Sequence, residues 1–317
     1  MRWITEENYA ETMRSEVEPY LEARREAGFD ERVTGEPIYY EHYRADAPKG
    51  VIVISHGFTE SIQKFSEPIY YMLQAGYEVW GVDHRGHGRS CRLNDNPYVV
   101  HADRFEDYVL DLRHLVETRV KPQAGALPLY LYCHSMGGCI GAWTIEAYPG
   151  LFQKAVLSSP MLRLSFGKLP LPVVSAVMAA KGLGNGGKEP VSPVDAFPDE
   201  RFEDSAATSE CRFLYYREKK TYEKRLQTCG ASTKWVREAI RACAHVCAKS
   251  EMAKVTIPVL LLQAGRDSYV KNASQDHFAA QVKSCELMRF PSLKHELYMS
   301  DLEAMKPYWE KIFSFLG

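Results

Sequence analysis

The chain lacks any apolar run long enough to cross a bilayer. Its longest, LPLPVVSAVMAA at 169–180, falls short of the roughly 18–20 residues that a span needs. It does not open on a secretory leader either, because MRWITEENYAETMRSEVEPY is charged and has no apolar h-region. The expectation is a cytoplasmic protein, at most peripheral to a membrane. Excess charge of one sign is also missing: 39 Lys and Arg face 41 Asp and Glu, a net charge of -2. That argues against nucleic acid as the main partner, since phosphate binding needs a basic surplus. The eight cysteines show no paired zinc spacing and are expected as free thiols. Cys243 and Cys247, on either side of His245, read as small buried apolar residues. No internal repeat is present. The glycine-rich piece at 182–187 is the single low-complexity stretch and is expected as a loop.

What is present is an alternation of buried strands and amphipathic helices. Residues 5–27 read as a charged helix stopped by Gly28. Strands are expected at 36–45, 51–55, 77–83, 128–133 and 154–159, with helices near 61–75, 102–120 and 137–148 between them. The run VIVIS at 51–55 is apolar and β-branched, as in a strand covered on both faces. After Pro160 the rhythm breaks, and 161–252 shows helical patterns with Pro/Gly-rich joints but no strong strand. It resumes with a strand at 257–265, a helix near 272–283, a strand at 286–290 and a last helix over 300–315. This order implies an α/β fold: a mostly parallel sheet flanked by helices. The core is expected over 1–160 and 253–317, with a helical cap, or lid, over 161–252 inserted after the sixth core strand.

Chemistry concentrates at strand ends. In YCHSMGG (132–138) a buried strand stops and a helix begins just after Ser135, the setting of a nucleophile elbow. Gly137 supplies the small residue on one side. Cys133 stands where the G-x-S-x-G pattern has glycine. A serine hydroxyl needs a general base, and the base needs an orienting acid. Asp267 ends the strand PVLLLQAG-RD, and His295 follows the next strand, ELMRF, in the order Ser, Asp, His. Asp301 and Glu296 are rival carboxylates, but neither ends a strand; Glu296 reads as a loop-packing or solvent contact. The oxyanion donors are expected at the backbone N–H groups of Met136 and of Phe58, in HGFT after the VIVIS strand. DHRGHGRS (83–90) lacks the spacing and following helix of a phosphate loop. It reads as a rigid turn supporting the site, with His84 and His87 structural.

With HGFTES (56–61), Lys64-Phe65, DHRGHGRS, HSMGG (134–138), GRD (265–267) and KHE (294–296) in order, the chain resembles the lysophospholipase/monoacylglycerol lipase family of α/β hydrolases. The insertion run from RFLYYREKK through GASTKWVREAIRAC looks like the lysophospholipase version of the cap. The resemblance implies Ser135, Asp267 and His295 as a triad, Phe58 and Met136 as the oxyanion hole, and no metal or cofactor. It also implies a small lipid or ester substrate, with a lysophospholipid ahead of a monoacylglycerol or a general carboxylic ester.

Within the insertion, 169–180 is expected to line an acyl pocket, rest transiently on a lipid surface, or pack on the core. Arg217, Lys219, Lys220, Lys224 and Arg225 are candidates for attracting a phosphate head group. Two other classes stay open. An aminopeptidase of the S33 type needs a lid acid for a free amine, with Glu203, Asp204 or Glu210 as candidates. A non-catalytic binding protein on the same fold is the second.

Overall fold

Residues 1–182 and 185–317 are described by the structure, a computed structural model. Leu183 and Gly184, within the stretch expected as a glycine-rich loop, lie outside the described residues. The strands are β1 (Arg25–Asp30), β2 (Ile38–Tyr43), β3 (Gly50–Ser55), β4 (Tyr77–Val82), β5 (Val99–Val100), β6 (Leu129–His134), β7 (Lys154–Ser158), β8 (Gly230–Ala231), β9 (Val259–Ala264) and β10 (Cys285–Phe290). Eight of them form one sheet in the order β1-β2-β4-β3-β6-β7-β9-β10. β1 and β2 are antiparallel additions at one edge, and the pairs from β4 through β10 are parallel.

Side chains alternate across a strand, so each central strand feeds two cores. Val51, Val53, Leu129, Leu131, Ala155, Leu157, Val259 and Leu261 enter one core. Ile52, Ile54, Tyr130, Tyr132, Val156, Leu260 and Leu262 enter the other. This is why these strands read as unbroken apolar runs: neither face meets water. The helices Glu106–Leu115 and Met136–Ala147 cover the first face, while Ser66–Gln74 and Leu302–Leu316 cover the second.

The N-terminal expectation needs correction. Helical structure runs only over Tyr9–Glu22, and Arg25–Asp30 is a strand pairing with β2. Gly28 lies inside that strand and stops nothing. A Cβ there would sit 2.7 Å from the Tyr40 hydroxyl, so the glycine makes room for a ring from the neighbouring strand. The added strand makes Lys154–Ser158 the sixth of the eight in chain order.

The segment between β7 and β9 carries the helices Leu171–Lys181, Glu210–Tyr222, Thr233–Val246 and Lys249–Met252. Its described residues form no separate core. Trp235, Val236, Ala239, Ala242 and Val246 join the first sheet core, and Phe213, Tyr215 and Tyr216 join the second. A two-residue parallel pairing of β5 with β8 ties it to the loop after β4. The helix at 171–181 buries Val174 and Met178 and leaves Val173 and Val177 exposed, as is Leu169 just before it. Among the described residues no helix is long and apolar enough to cross a membrane.

Candidate active site

Ser135 sits between β6 and the helix Met136–Ala147 with φ 54° and ψ -115°, a backbone region that costs a non-glycine residue about 1–3 kcal/mol. The surroundings hold it there. Its N–H donates to the Ser158 carbonyl at 3.1 Å, and its own carbonyl accepts from Met161 and Gly138 N–H, each at 2.8 Å. The turn passes so close to β3 that a Cβ at Gly137 would lie 2.0 Å from the Ser55 carbonyl oxygen. Only glycine fits at that position.

Cys133, the departure from the usual elbow glycine, is fully buried at the end of β6. Its Sγ would lie 2.3 Å from a Cβ at Gly141, in the second turn of the elbow helix. The missing side chain has moved from strand to helix, which makes room for the thiol.

The structure brings Ser135, His295 and Asp267 together. His295 Nε2 is 2.8 Å from Ser135 Oγ, and His295 Nδ1 is 2.6 Å from Asp267 Oδ2. The other Asp267 oxygen accepts the N–H groups of Tyr269 (2.8 Å) and Val270 (3.0 Å). Burial alone would raise the Asp267 pKa. The hydrogen bond and charge of His295, with the two amides, outweigh burial and hold the carboxylate below its ordinary range. An acid that stays ionised leaves Nδ1 as donor and frees Nε2 to accept the serine proton. Met136 is the first residue of the elbow helix, where N–H groups have no intrahelical acceptor. Phe58 lines the same cavity as Ser135 and His295.

Several supporting residues carried no assignment in the sequence reading. Glu60 Oε2 accepts the Gly57 N–H at 2.6 Å, so it pins the loop that carries Phe58. Its Oε1 accepts from Lys64 Nζ and from the Tyr298 hydroxyl, both at 2.8 Å. Lys64 also meets Glu296 Oε1 at 2.5 Å. Glu296 is thus a partly buried ion-pair partner, closer to the loop-packing reading than to a solvent contact. Burial pushes both carboxyls up. The charge of Lys64 dominates at Glu60 and holds it well below the ordinary range, while burial and repulsion from Glu60 leave Glu296 raised. The E-x-x-x-K spacing of Glu60 and Lys64 was the one visible signal for this network; Glu296 and Tyr298 had none. Glu60, His134 and Glu296 bring metal-type ligand atoms within 4.8 Å of one another, but the Lys64 ammonium already supplies the cation there.

The turn DHRGHGRS braces the loop. Asp83 accepts the Ile62 and Arg89 N–H groups, each at 2.8 Å, joining the two segments. His84 N–H donates to His56 Nε2 at 3.0 Å, which leaves His56 Nδ1 to donate to the Gly57 carbonyl at 2.7 Å. Burial drives the His56 pKa down to about 4 and that of His134 down to about 3, so both rings are neutral supports.

The cavity over Ser135, about 160 Å³, has mixed walls: Phe58, Phe213, Tyr269 and Met299 stand beside Lys64, Glu200, Arg217, Lys220 and Glu296. Of the five basic residues singled out in the insertion, Arg217 and Lys220 line it. Lys219 instead meets Glu18 and Ser66, and Lys224 and Arg225 are exposed elsewhere. Lys220 Nζ donates to the Thr59 (3.4 Å) and Thr228 (3.2 Å) carbonyls and has no carboxylate within ion-pair distance among the described residues. Burial pulls its pKa down to about 8. Arg217 meets Asp199, while its buried Nη1 has no partner among the described residues.

Residues 46–302 match the family described as serine aminopeptidase, S33. Lysophospholipase L2 of Escherichia coli (strain K12) is 31% identical over 303 residues, covering 90% of this chain and 82% of that protein. Among solved structures, a soluble variant of monoglyceride lipase from Saccharomyces cerevisiae aligns with TM-score 0.73 at 16% identity, over 92% of this chain and 95% of the other. A carboxyl esterase from Bacillus coagulans aligns with TM-score 0.74 at 16% identity, over 92% and 98%. At those identities the two structures speak for the fold alone. The chain belongs to the serine aminopeptidase S33 family of α/β hydrolases, on its lysophospholipase- and monoglyceride-lipase-like side.

Proposed function

We propose that this protein is a serine hydrolase of acyl-glycerol lipids, and specifically a lysophospholipase, working through an acyl-enzyme on Ser135. Lys220, which shares the cavity over Ser135 with Arg217, carries the choice of substrate: a half-buried cation with no carboxylate at ion-pair distance among the described residues calls for an anion from the ligand. A phosphodiester head group supplies one, and a monoacylglycerol does not. The relatedness to lysophospholipase L2 points the same way.

In the proposed cycle Ser135 Oγ attacks the ester carbonyl while His295 Nε2 takes its proton. Asp267 stabilises the imidazolium. The N–H groups of Phe58 and Met136 hold the oxyanion, each worth about 3 kcal/mol. Collapse expels the glycerophosphoryl alcohol, which leaves with the proton from His295. Water, deprotonated by the same imidazole, then releases the fatty acid and restores Ser135. The exposed face of Leu169, Val173 and Val177 serves as a transient contact with the lipid surface, and the 161–252 insertion acts as the lid.

The peptidase alternative needs a lid acid for a free amine. Glu203, Asp204 and Glu210 are exposed and off the cavity wall, although Glu200 lies on it. The deciding experiment is a substrate panel of lysophospholipid, monoacylglycerol, p-nitrophenyl butyrate and aminoacyl anilide, with Ser135→Ala as blank. Lysophospholipid turnover ahead of monoacylglycerol, lost in the blank, is expected. Faster anilide cleavage would establish the peptidase instead. A wild type that turns over none of the four and takes up no fluorophosphonate would mark a binding protein.

A further inference from the structure

Far from the cavity walls, at the other end of the elbow helix, Glu146 is 1% exposed, and neither of its carboxylate oxygens has a hydrogen-bond partner among the described residues. A buried carboxylate left in that state costs several kcal/mol unless something neutralises it. Two other ligand-type side chains share its position. His245 comes from the last turn of the helix Thr233–Val246, and Glu251 from the short helix Lys249–Met252. One ligand atom from each of the three lies within 4.8 Å of the others, and His245 Nε2 is 3.6 Å from Glu251 Oε2. The indole of Trp143 lies against the His245 imidazole with centroids 4.2 Å apart, limiting how the ring can turn.

We propose that Glu146, His245 and Glu251 form a binding site for one divalent transition-metal ion of the zinc type. Two carboxylates and a neutral imidazole match a dication in charge. The mixed oxygen and nitrogen set suits Zn²⁺ or Co²⁺ better than Ca²⁺ or Mg²⁺, which favour all-oxygen shells. Lys254 now holds Glu251 Oε2 at 2.6 Å. Its side chain is half exposed and free to swing into solvent when the ion takes that oxygen. The site clamps the far end of the helix that begins at Ser135 to the insertion and to the segment that returns to β9. It is a structural tie and not part of the ester chemistry.

The test uses the full chain after dialysis against a chelator, titrated with Zn²⁺ by calorimetry, with Co²⁺ absorption as a second readout. One ion per chain and a rise in Tm on Zn²⁺ addition are expected. Glu146→Gln and His245→Gln should each weaken Zn²⁺ binding by more than about tenfold while keeping p-nitrophenyl butyrate turnover, which shows that they fold. Unchanged Zn²⁺ affinity in both variants would overturn the proposal. So would a thiolate charge-transfer band with Co²⁺, which would place the ion on cysteine, and so would failure of the wild type to bind.

Discussion

The Sγ of Cys133 occupies the space that a Cβ on Gly141 would fill, with 2.3 Å between the two positions. Alanine in a helix interior normally stabilises relative to glycine by about 0.5–1 kcal/mol. Here Gly141→Ala should destabilise by about 1–3 kcal/mol through overpacking. Cys133→Ala in the same chain should recover most of the loss, because Cys133 Cβ lies at an ordinary 3.4 Å from that position. Urea unfolding of the two single variants and the double variant measures the coupling. Additive effects would show that the two sites do not exchange volume.

Glu60 reaches the chemistry only through the loop it pins. Glu60→Gln weakens the hold on Gly57 and strips Lys64 of one partner. With Phe58 as an oxyanion donor, kcat on a soluble ester should fall by about tenfold to a hundredfold, less than for outright loss of a donor. KM should change little. A purely structural role would lower the Tm and leave the kcat of the folded fraction intact.

Lys220→Met should separate substrates. A hydrogen bond to a charged group is worth about 1.5–3 kcal/mol, so kcat/KM for a lysophospholipid should drop by roughly tenfold to a hundredfold. Turnover of p-nitrophenyl butyrate should hold. Parallel loss on both would place Lys220 in the general framework of the loop.

Acid stability follows from the buried imidazoles. His56 and His134 have folded pKa values of about 4 and about 3, lowered by burial from 6.5. Below pH 6.5 the unfolded chain therefore takes up protons that the native state refuses. The contribution of these two rings is flat above about pH 7 and falls as pH drops towards 4, by roughly 1 kcal/mol per pH unit for each ring. His134→Asn should flatten that slope by one proton, measured by denaturant midpoints across the range.

Asp267→Asn keeps the shape of the site but favours the wrong imidazole tautomer. In a serine–histidine pair that loss reaches about 10⁴ in kcat, and a fall of about 10³–10⁴ is expected here. A much smaller effect would point to another carboxylate as the orienting group.

Much of this was legible in the linear chain because the signals are local. Apolar β-branched runs mark strands buried on both faces, and a reactive residue just beyond such a run marks the rim of the sheet. Ser135, Asp267 and His295 stand out for that reason. Arg25–Asp30 was not legible as a strand: its exposed, charged residues imitate a helix surface, and only pairing with β2 makes it extended. Glu296 read as a loop-packing or solvent contact because nothing in its neighbourhood reveals that Lys64, 232 positions earlier, ends 2.5 Å away.

By itself, then, the sequence determined the order of the central strands and the helices between them and the residue types at the strand ends, since periodicity and turn chemistry act over a few residues. Only the tertiary structure decided which distant charges share a buried space. It left Lys220 without a carboxylate at ion-pair distance among the described residues, surrounded Lys64 with two, and placed Glu146 beside His245 and Glu251. Electrostatic energy depends on distance and burial in space, and neither can be read from separation along the chain.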